Sequence, residues 1–241
     1  MIPDNYFFRW MLHKVNHGQV PQNSYYTVPE AAFRDISRRI ESLHPGRTLY
    51  TFDDGNSTDI EVSLSILQEI GAESRGFFFI TTAWIGKEGH LTKTELRQMA
   101  SRSLSIGTHG HTHDYFDRMK DKELAEELSV SRQILEEITG KTVNALSVPG
   151  GKFDHRLAGL ALAAGYERIF TSDPWEREIS GIRFLGRYCI NQENLNKLPI
   201  YYSKPNFYRN LLLAEHEVKK IIRTFLGVEI SNSISSIRKR T

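Results

Sequence analysis

Two periods alternate along the chain. Thr48-Leu49-Tyr50-Thr51-Phe52 is a short apolar run, which predicts a buried strand. Over residues 59–70, Ile60, Leu64 and Leu67 recur at helical spacing, as do Val62, Ile66 and Ile70, and Gly71 supplies the stop. Gly76-Phe77-Phe78-Phe79-Ile80 predicts the next strand. Thr92-Lys93-Thr94-Glu95 is a capping box with Leu91 placed as a staple. A third strand follows over 104–108. Asp121 can then cap a long helix through Leu124, Leu128, Leu135 and Ile138, closed by Gly140. Ala145-Leu146-Ser147-Val148 and Arg168-Ile169-Phe170-Thr171 predict two more strands around a helix over 156–164.

The ends of the chain are less regular. Residues 1–25 show no clear period and read as an extended lead-in, and Thr27 can cap a first helix through Phe33, Ile36 and Ile40. Phe184-Leu185-Gly186-Arg187-Tyr188 is strand-like, and Tyr188-Cys189-Ile190 reads as buried strand. Leu211, Ala214, Val218, Ile221, Ile222 and Phe225 share one face of a last helix. The expected organisation is therefore a lead-in over 1–25, one domain over 26–230 and a basic tail over 231–241. Strands alternating with helices imply a parallel sheet with crossover connections, as in a barrel or an open doubly wound sheet. No phosphate-cradling glycine motif follows the first strand, which counts against nucleotide binding.

Composition narrows the classes. With 241 residues the chain can bury a full core, and a formal charge of +2 does not argue for nucleic acid. The single Cys189 excludes a disulfide framework within the chain and argues against a cysteine-based zinc site. No apolar stretch approaches the ~18 residues of a membrane span. Tyr6-Phe7-Phe8-Arg9-Trp10-Met11-Leu12 is interrupted by Arg9 and is too short for a signal-peptide core, so the expected location is cytoplasmic.

The candidate chemistry lies where strands end. Asp53-Asp54 follows the first predicted strand, His109-Gly110-His111-Thr112-His113 the third, Pro149-Gly150-Gly151 the fourth and Ser172-Asp173-Pro174-Trp175 the fifth. Strand C-termini of a parallel α/β sheet share one face, so these clusters should converge. Each alone is ordinary, since Asp-Asp-Gly and Gly-Gly are common turns; it is the convergence that carries the prediction. Histidines four apart can ligate a metal, and a carboxylate as third ligand leaves a position for water. One of Asp53 and Asp54 can bind metal while the other accepts a proton. Gly150 and Gly151 can present backbone N–H donors to an oxyanion, and Asp173 and Trp175 are candidates to touch substrate.

These residues resemble the polysaccharide deacetylase family (carbohydrate esterase family 4, the NodB homology domain). Thr51-Phe52-Asp53-Asp54-Gly55 matches its first motif, and Ile106-Gly107-Thr108-His109-Gly110-His111-Thr112-His113 is similar to its second. Pro149-Gly150-Gly151 is similar to part of the third, and Gly165-Tyr166 through Thr171-Ser172-Asp173 to the approach to the fourth. The resemblance implies a distorted (β/α) barrel with about seven parallel strands. It implies Asp53 as general base, with Asp54, His109 and His113 holding zinc or a similar divalent ion (cobalt, manganese or nickel). The implied reaction removes an acetyl group, chiefly N-linked, from a glycan or amino sugar.

Three features depart from the family pattern. Asp114 follows His113 where proline is usual, with Gly110 in place of Ser or Thr. Ser147 stands where an arginine usually orients the base. The family's acid, a histidine in a late Leu-x-His segment, has no counterpart, and His216 is the one histidine after His155. His216 is therefore the candidate acid, with a water or His111 as substitutes. Two other readings remain open: a C–N hydrolase of a small cyclic amide or ureide, and a non-catalytic glycan-binding protein that kept its metal site.

Overall fold

The computed structural model describes residues 8–17, 24–102, 104–173, 175–192, 194, 195 and 214. Its elements lie within one compact unit, Met1–Ser203. The strands are β1 (Phe8–Leu12), β2 (Lys14–Asn16), β3 (Thr27–Pro29), β4 (Thr48–Phe52), β5 (Gly76–Ile80), β6 (Ser105–Thr108), β7 (Ala145–Ser147), β8 (Arg168–Thr171), β9 (Glu176–Ile179), β10 (Ile182–Gly186) and β11 (Tyr188–Cys189). The helices are α1 (Glu30–Leu43), α2 (Ser65–Glu69), α3 (Lys93–Ser101), α4 (Asp121–Thr139) and α5 (Arg156–Ala163).

Nine strands form one sheet in the order β11-β1-β4-β5-β6-β7-β8-β10-β9, and β2 pairs with β3 beside it. Only β9 runs antiparallel in the large sheet, so the parallel set slightly exceeds the expected one. Connectivity shows that the sheet curls. A single residue, Arg187, separates β10 from β11, yet β10 pairs with β8 and β11 pairs with β1 at the other end of the order. A flat sheet could not place both ends one residue apart. Leu49, Phe77, Phe79, Ala145, Phe170 and Leu185, from five strands, pack together inside the curl. Helices cover the outside: Phe33 of α1 meets Tyr50 and Phe52 edge-on, while Leu124 and Leu128 of α4 and Leu157 of α5 pack on Leu146, Ile169 and Phe184. This is the distorted, half-closed barrel expected from the sequence.

Several boundaries differ. Phe8–Leu12, expected as lead-in, is a strand between β11 and β4. It is buried on both faces, so it has no alternation to reveal it. Its one break, Arg9, reaches Glu176 of β9 at 2.7 Å. Thr27 does not cap α1; it pairs in β3, and the helix begins at Glu30 after Pro29. The helix expected over 59–70 opens as a π turn, Asp59–Leu64, before α2. The strand expected over 184–188 breaks at Arg187, where the chain crosses the seam. The Thr92–Glu95 box forms in both directions, at 2.7 and 3.3 Å, and Gly140 ends α4 with φ +66°. The last helix, His216, the tail and the boundary at 230 lie outside the described residues. No helix among the described residues is long and apolar enough to cross a membrane.

Candidate active site

Parallel register places the chemistry. Leu12 of β1 is level with Phe52 of β4, and the Asp53 N–H donates to the Leu12 carbonyl at 2.8 Å. His13 and Asp53 are the next residues of each strand, and the Asn56 amide donates to both of their carbonyls. Register carries Asp53 and His13 to the same side of the sheet.

Asp54 follows with φ +80°, and His113 has φ +73°. Ser180, in the β9–β10 turn, is the only other described non-glycine residue at positive φ. Such conformations cost energy in ordinary residues and gather where a site demands them. They aim Asp54 Oδ1 at His109 Nε2, 3.5 Å away, and at His113 Nε2, 3.4 Å away. Asp54 Oδ1 is buried with no hydrogen-bond partner. One ligand atom from each of the three residues falls within 4.8 Å of the others. An orphaned carboxylate oxygen facing two imidazole nitrogens fits a divalent cation, and the donor set of two His and one Asp suits zinc.

The surroundings hold these side chains in place. The Ser147 carbonyl lies 2.9 Å from His109 Nδ1 and fixes the tautomer that leaves a lone pair on Nε2. Burial lowers the His109 pKa and outweighs the opposing pull of Asp53 and Asp54, so the ring is neutral. His113 stacks on Trp84, with centroids 4.8 Å apart. The loop between the histidines is held from α4. Glu127 Oε1, buried, accepts the N–H groups of His111 and Thr112 at 2.6 and 2.7 Å.

Asp53 is held differently. Arg187 Nη1 and Nη2 donate to its two oxygens at 2.7 and 2.9 Å, and Ser147 Oγ donates to Oδ2 at 3.0 Å. The arginine that the sequence lacked at Ser147 thus comes from the seam after β10, and Ser147 serves as a small hydroxyl relay to it. Burial by itself would raise the Asp53 pKa. The Arg187 guanidinium, through its charge and its hydrogen bonds, more than offsets this, and the carboxyl lies well below the usual range.

The other candidates fall less closely. Gly151 donates its N–H to the Val148 carbonyl, which commits it. At Gly150 any side chain would meet the Tyr115 ring, and Tyr115 and His113 line a cavity of about 770 Å3 with Arg118 and Glu126. Asp173 accepts from Thr171 Oγ1, the Trp175 N–H and Arg177, so both its oxygens are engaged in the turn into β9. Trp175 stands immediately before β9 and is half-buried. His111 Nδ1 lies 2.8 Å from Thr82 Oγ1, outside the ligand group. Cys189 is half-buried, and desolvation with nearby Asp53 pushes its thiol up to about 12, so it stays protonated.

Two residues escaped the sequence reading. Arg187 carries no motif. His13 carried a usable signal, since it ends the apolar run Trp10-Met11-Leu12 as Asp53 ends Thr51-Phe52. Its Nδ1 is buried without a partner, and its charge acts on both Asp53 and Asp54.

A family model described as polysaccharide deacetylase matches residues 41–169. YxkH of Bacillus subtilis (strain 168), assigned to the polysaccharide deacetylases, is 24% identical over 126 residues, 52% of this chain and 44% of YxkH. The chain thus spans less than half the length of that relative. Among solved structures, BC0361, a polysaccharide deacetylase from Bacillus cereus, aligns with TM-score 0.68 and 19% identity over 81% of this chain and 68% of its own. The Streptococcus pyogenes deacetylase PplD, in complex with acetate, aligns with TM-score 0.67 and 18% identity over 79% of this chain and 96% of its own. At these identities the two structures speak for the fold.

Proposed function

The chain belongs to the polysaccharide deacetylase family, and from that premise we propose that it is a metal-dependent hydrolase removing N-acetyl groups from a glycan or amino sugar. Asp54, His109 and His113 hold the divalent ion, with zinc the expected one. The observation that carries this reading is the unpartnered Asp54 Oδ1 facing both Nε2 atoms, next to a carboxylate that is held ionised. When bound, the ion would acidify a water and polarise the acetyl carbonyl.

The chain's own groups do the rest. Asp53 takes the proton from the attacking water. Three of its four lone-pair positions are filled by Arg187 and Ser147, which leaves one to accept it. The water oxygen bonds to the acetyl carbon, and the Gly150 N–H is the backbone donor for the developing oxyanion, since that of Gly151 is committed. The C–N bond then breaks. His13, on the β1 side of Asp53, gives the proton that lets nitrogen leave as an amine, and the acyl half leaves as acetate. A donor at His13 answers the absence of a late Leu-x-His segment, and with it the motive for a non-catalytic binder.

The test is acetate release from N-acetylglucosamine oligomers. Activity should vanish with chelator and return with zinc, and Asp53→Asn should abolish it. His13→Ala should lower amide turnover by about 10²–10⁴-fold. It should spare p-nitrophenyl acetate, whose leaving group needs no proton. Zinc-loaded protein that releases acetate from no N-acetylated glycan would end this reading.

A further inference from the structure

The acetyl carbonyl and the amide nitrogen need different surroundings. If the carbonyl faces the three ligands and the nitrogen faces His13, the sugar hangs from that nitrogen and must lie beyond His13. What the structure holds there is an aromatic surface. The Tyr26 ring packs on the His13 ring with centroids 4.4 Å apart, and Tyr25 meets Tyr26 edge-on at 4.7 Å and 89°. The turn that carries them is tied down, with Thr27 N–H donating to the Ser24 carbonyl and Gln192 N–H to the Tyr25 carbonyl.

Tyr26 is 51% exposed, although it sits in this cluster. The other large apolar side chains exposed among the described residues are Leu43 and Leu162, both on helices α1 and α5. Tyr26 alone of the three stands at the site. Partial burial raises the phenol pKa, and nearby Cys189, Tyr115 and Asp54 raise it further. Tyr115 lies under the Arg118 guanidinium and against Gly150. An exposed ring face beside a few convergent polar groups is how proteins hold a sugar ring, whose C–H face is apolar and whose rim is polar.

We propose that Tyr26 is the stacking platform for the hexosamine ring of the substrate, setting its amide nitrogen against His13. The proposal rests on the deacetylase reading for the identity of the ligand. The platform itself acts in binding, so it can be tested apart from turnover. Tyr26 contributes ring surface, and the hydroxyl is dispensable.

The experiment titrates the full chain, in EDTA to prevent turnover, with β-1,4- and β-1,6-linked N-acetylglucosamine tetramers by calorimetry. Tyr26→Ala should weaken binding at least tenfold, and Tyr26→Phe should stay within threefold of wild type. After zinc loading, Tyr26→Ala should raise KM on the tetramer bound more than it lowers kcat, and a circular dichroism spectrum matching wild type reports an intact fold. Equal binding by wild type and Tyr26→Ala overturns the platform, as does wild type that binds neither tetramer. Loss in Tyr26→Phe as large as in Tyr26→Ala overturns it too, because the hydroxyl is then responsible. Tyr26-dependent binding without acetate release from the zinc-loaded protein would uphold the platform and reject the deacetylase.

Discussion

Arg187 has five N–H groups, and each ends on an acceptor: two on Asp53, one each on Thr51 Oγ1, Ser147 Oγ and the Thr171 carbonyl. Both members of the pair are almost wholly buried, so removing one strands the other. Arg187→Met should cost about 3–5 kcal/mol in denaturant unfolding, and adding Asp53→Asn should recover part of that loss. The pH dependence should change as well. Asp53 has a folded pKa below its unfolded one, so its stabilisation is present above about pH 4 and is lost as pH falls through the folded value. Arg187→Met removes the strongest group that lowers this pKa, so the stability lost on acidification should shrink. Asp59 has the opposite sign. It is fully buried, neither oxygen has a hydrogen-bond partner, and burial with nearby Asp54 pushes its pKa well up. Its neutral form favours folding below about pH 4, and stability is lost as pH rises from there through the folded pKa. Asp59→Asn should therefore raise Tm at pH 7 and change it little at pH 3. A Tm gain of equal size at both values would refute an unpaired acid.

Each candidate site residue stands at an element end, and other elements hold those ends. Glu127 of α4 binds the N–H groups of His111 and Thr112 and the Thr112 hydroxyl, and so fixes the loop in which His113 takes φ +73°. Glu127→Ala should leave those amides unsatisfied at about 1–3 kcal/mol each and increase their hydrogen exchange. Zinc affinity should fall about 10–100-fold, and Glu127→Gln should restore most of both. Unchanged exchange at residues 111 and 112 would contradict this anchoring. The legibility of elements follows from the same geometry. Helices α3 and α4 showed in the sequence because one face is apolar, a Thr92–Glu95 capping box opens α3 and Gly140 closes α4, although Asp121, expected to cap α4, is its first helical residue after Lys120. Strand β1 did not, because a strand buried on both faces looks like any short apolar run.

At the scale of the molecule, the curl of the sheet makes the site. Metal binding should stabilise the whole barrel, by about 2.7 kcal/mol at a free zinc concentration a hundred times Kd. A thermal scan with and without EDTA checks it, and His113→Ala should abolish the difference. The sequence by itself determined the alternation of strand and helix, the parallel sheet, and the convergence of Asp53, Asp54, His109 and His113 on one face. Local periodicity and strand polarity suffice for these, because every C-terminal end of a parallel sheet points the same way. Only the tertiary structure decided what faces Asp53 and what fills the seam. Arg187 lies 134 residues from Asp53 in the chain, and His13 precedes it by 40. Neither separation leaves a periodic trace. Closure of the curl between β10 and β11 puts the guanidinium against the carboxylate, and the pairing of β1 with β4 puts the imidazole alongside.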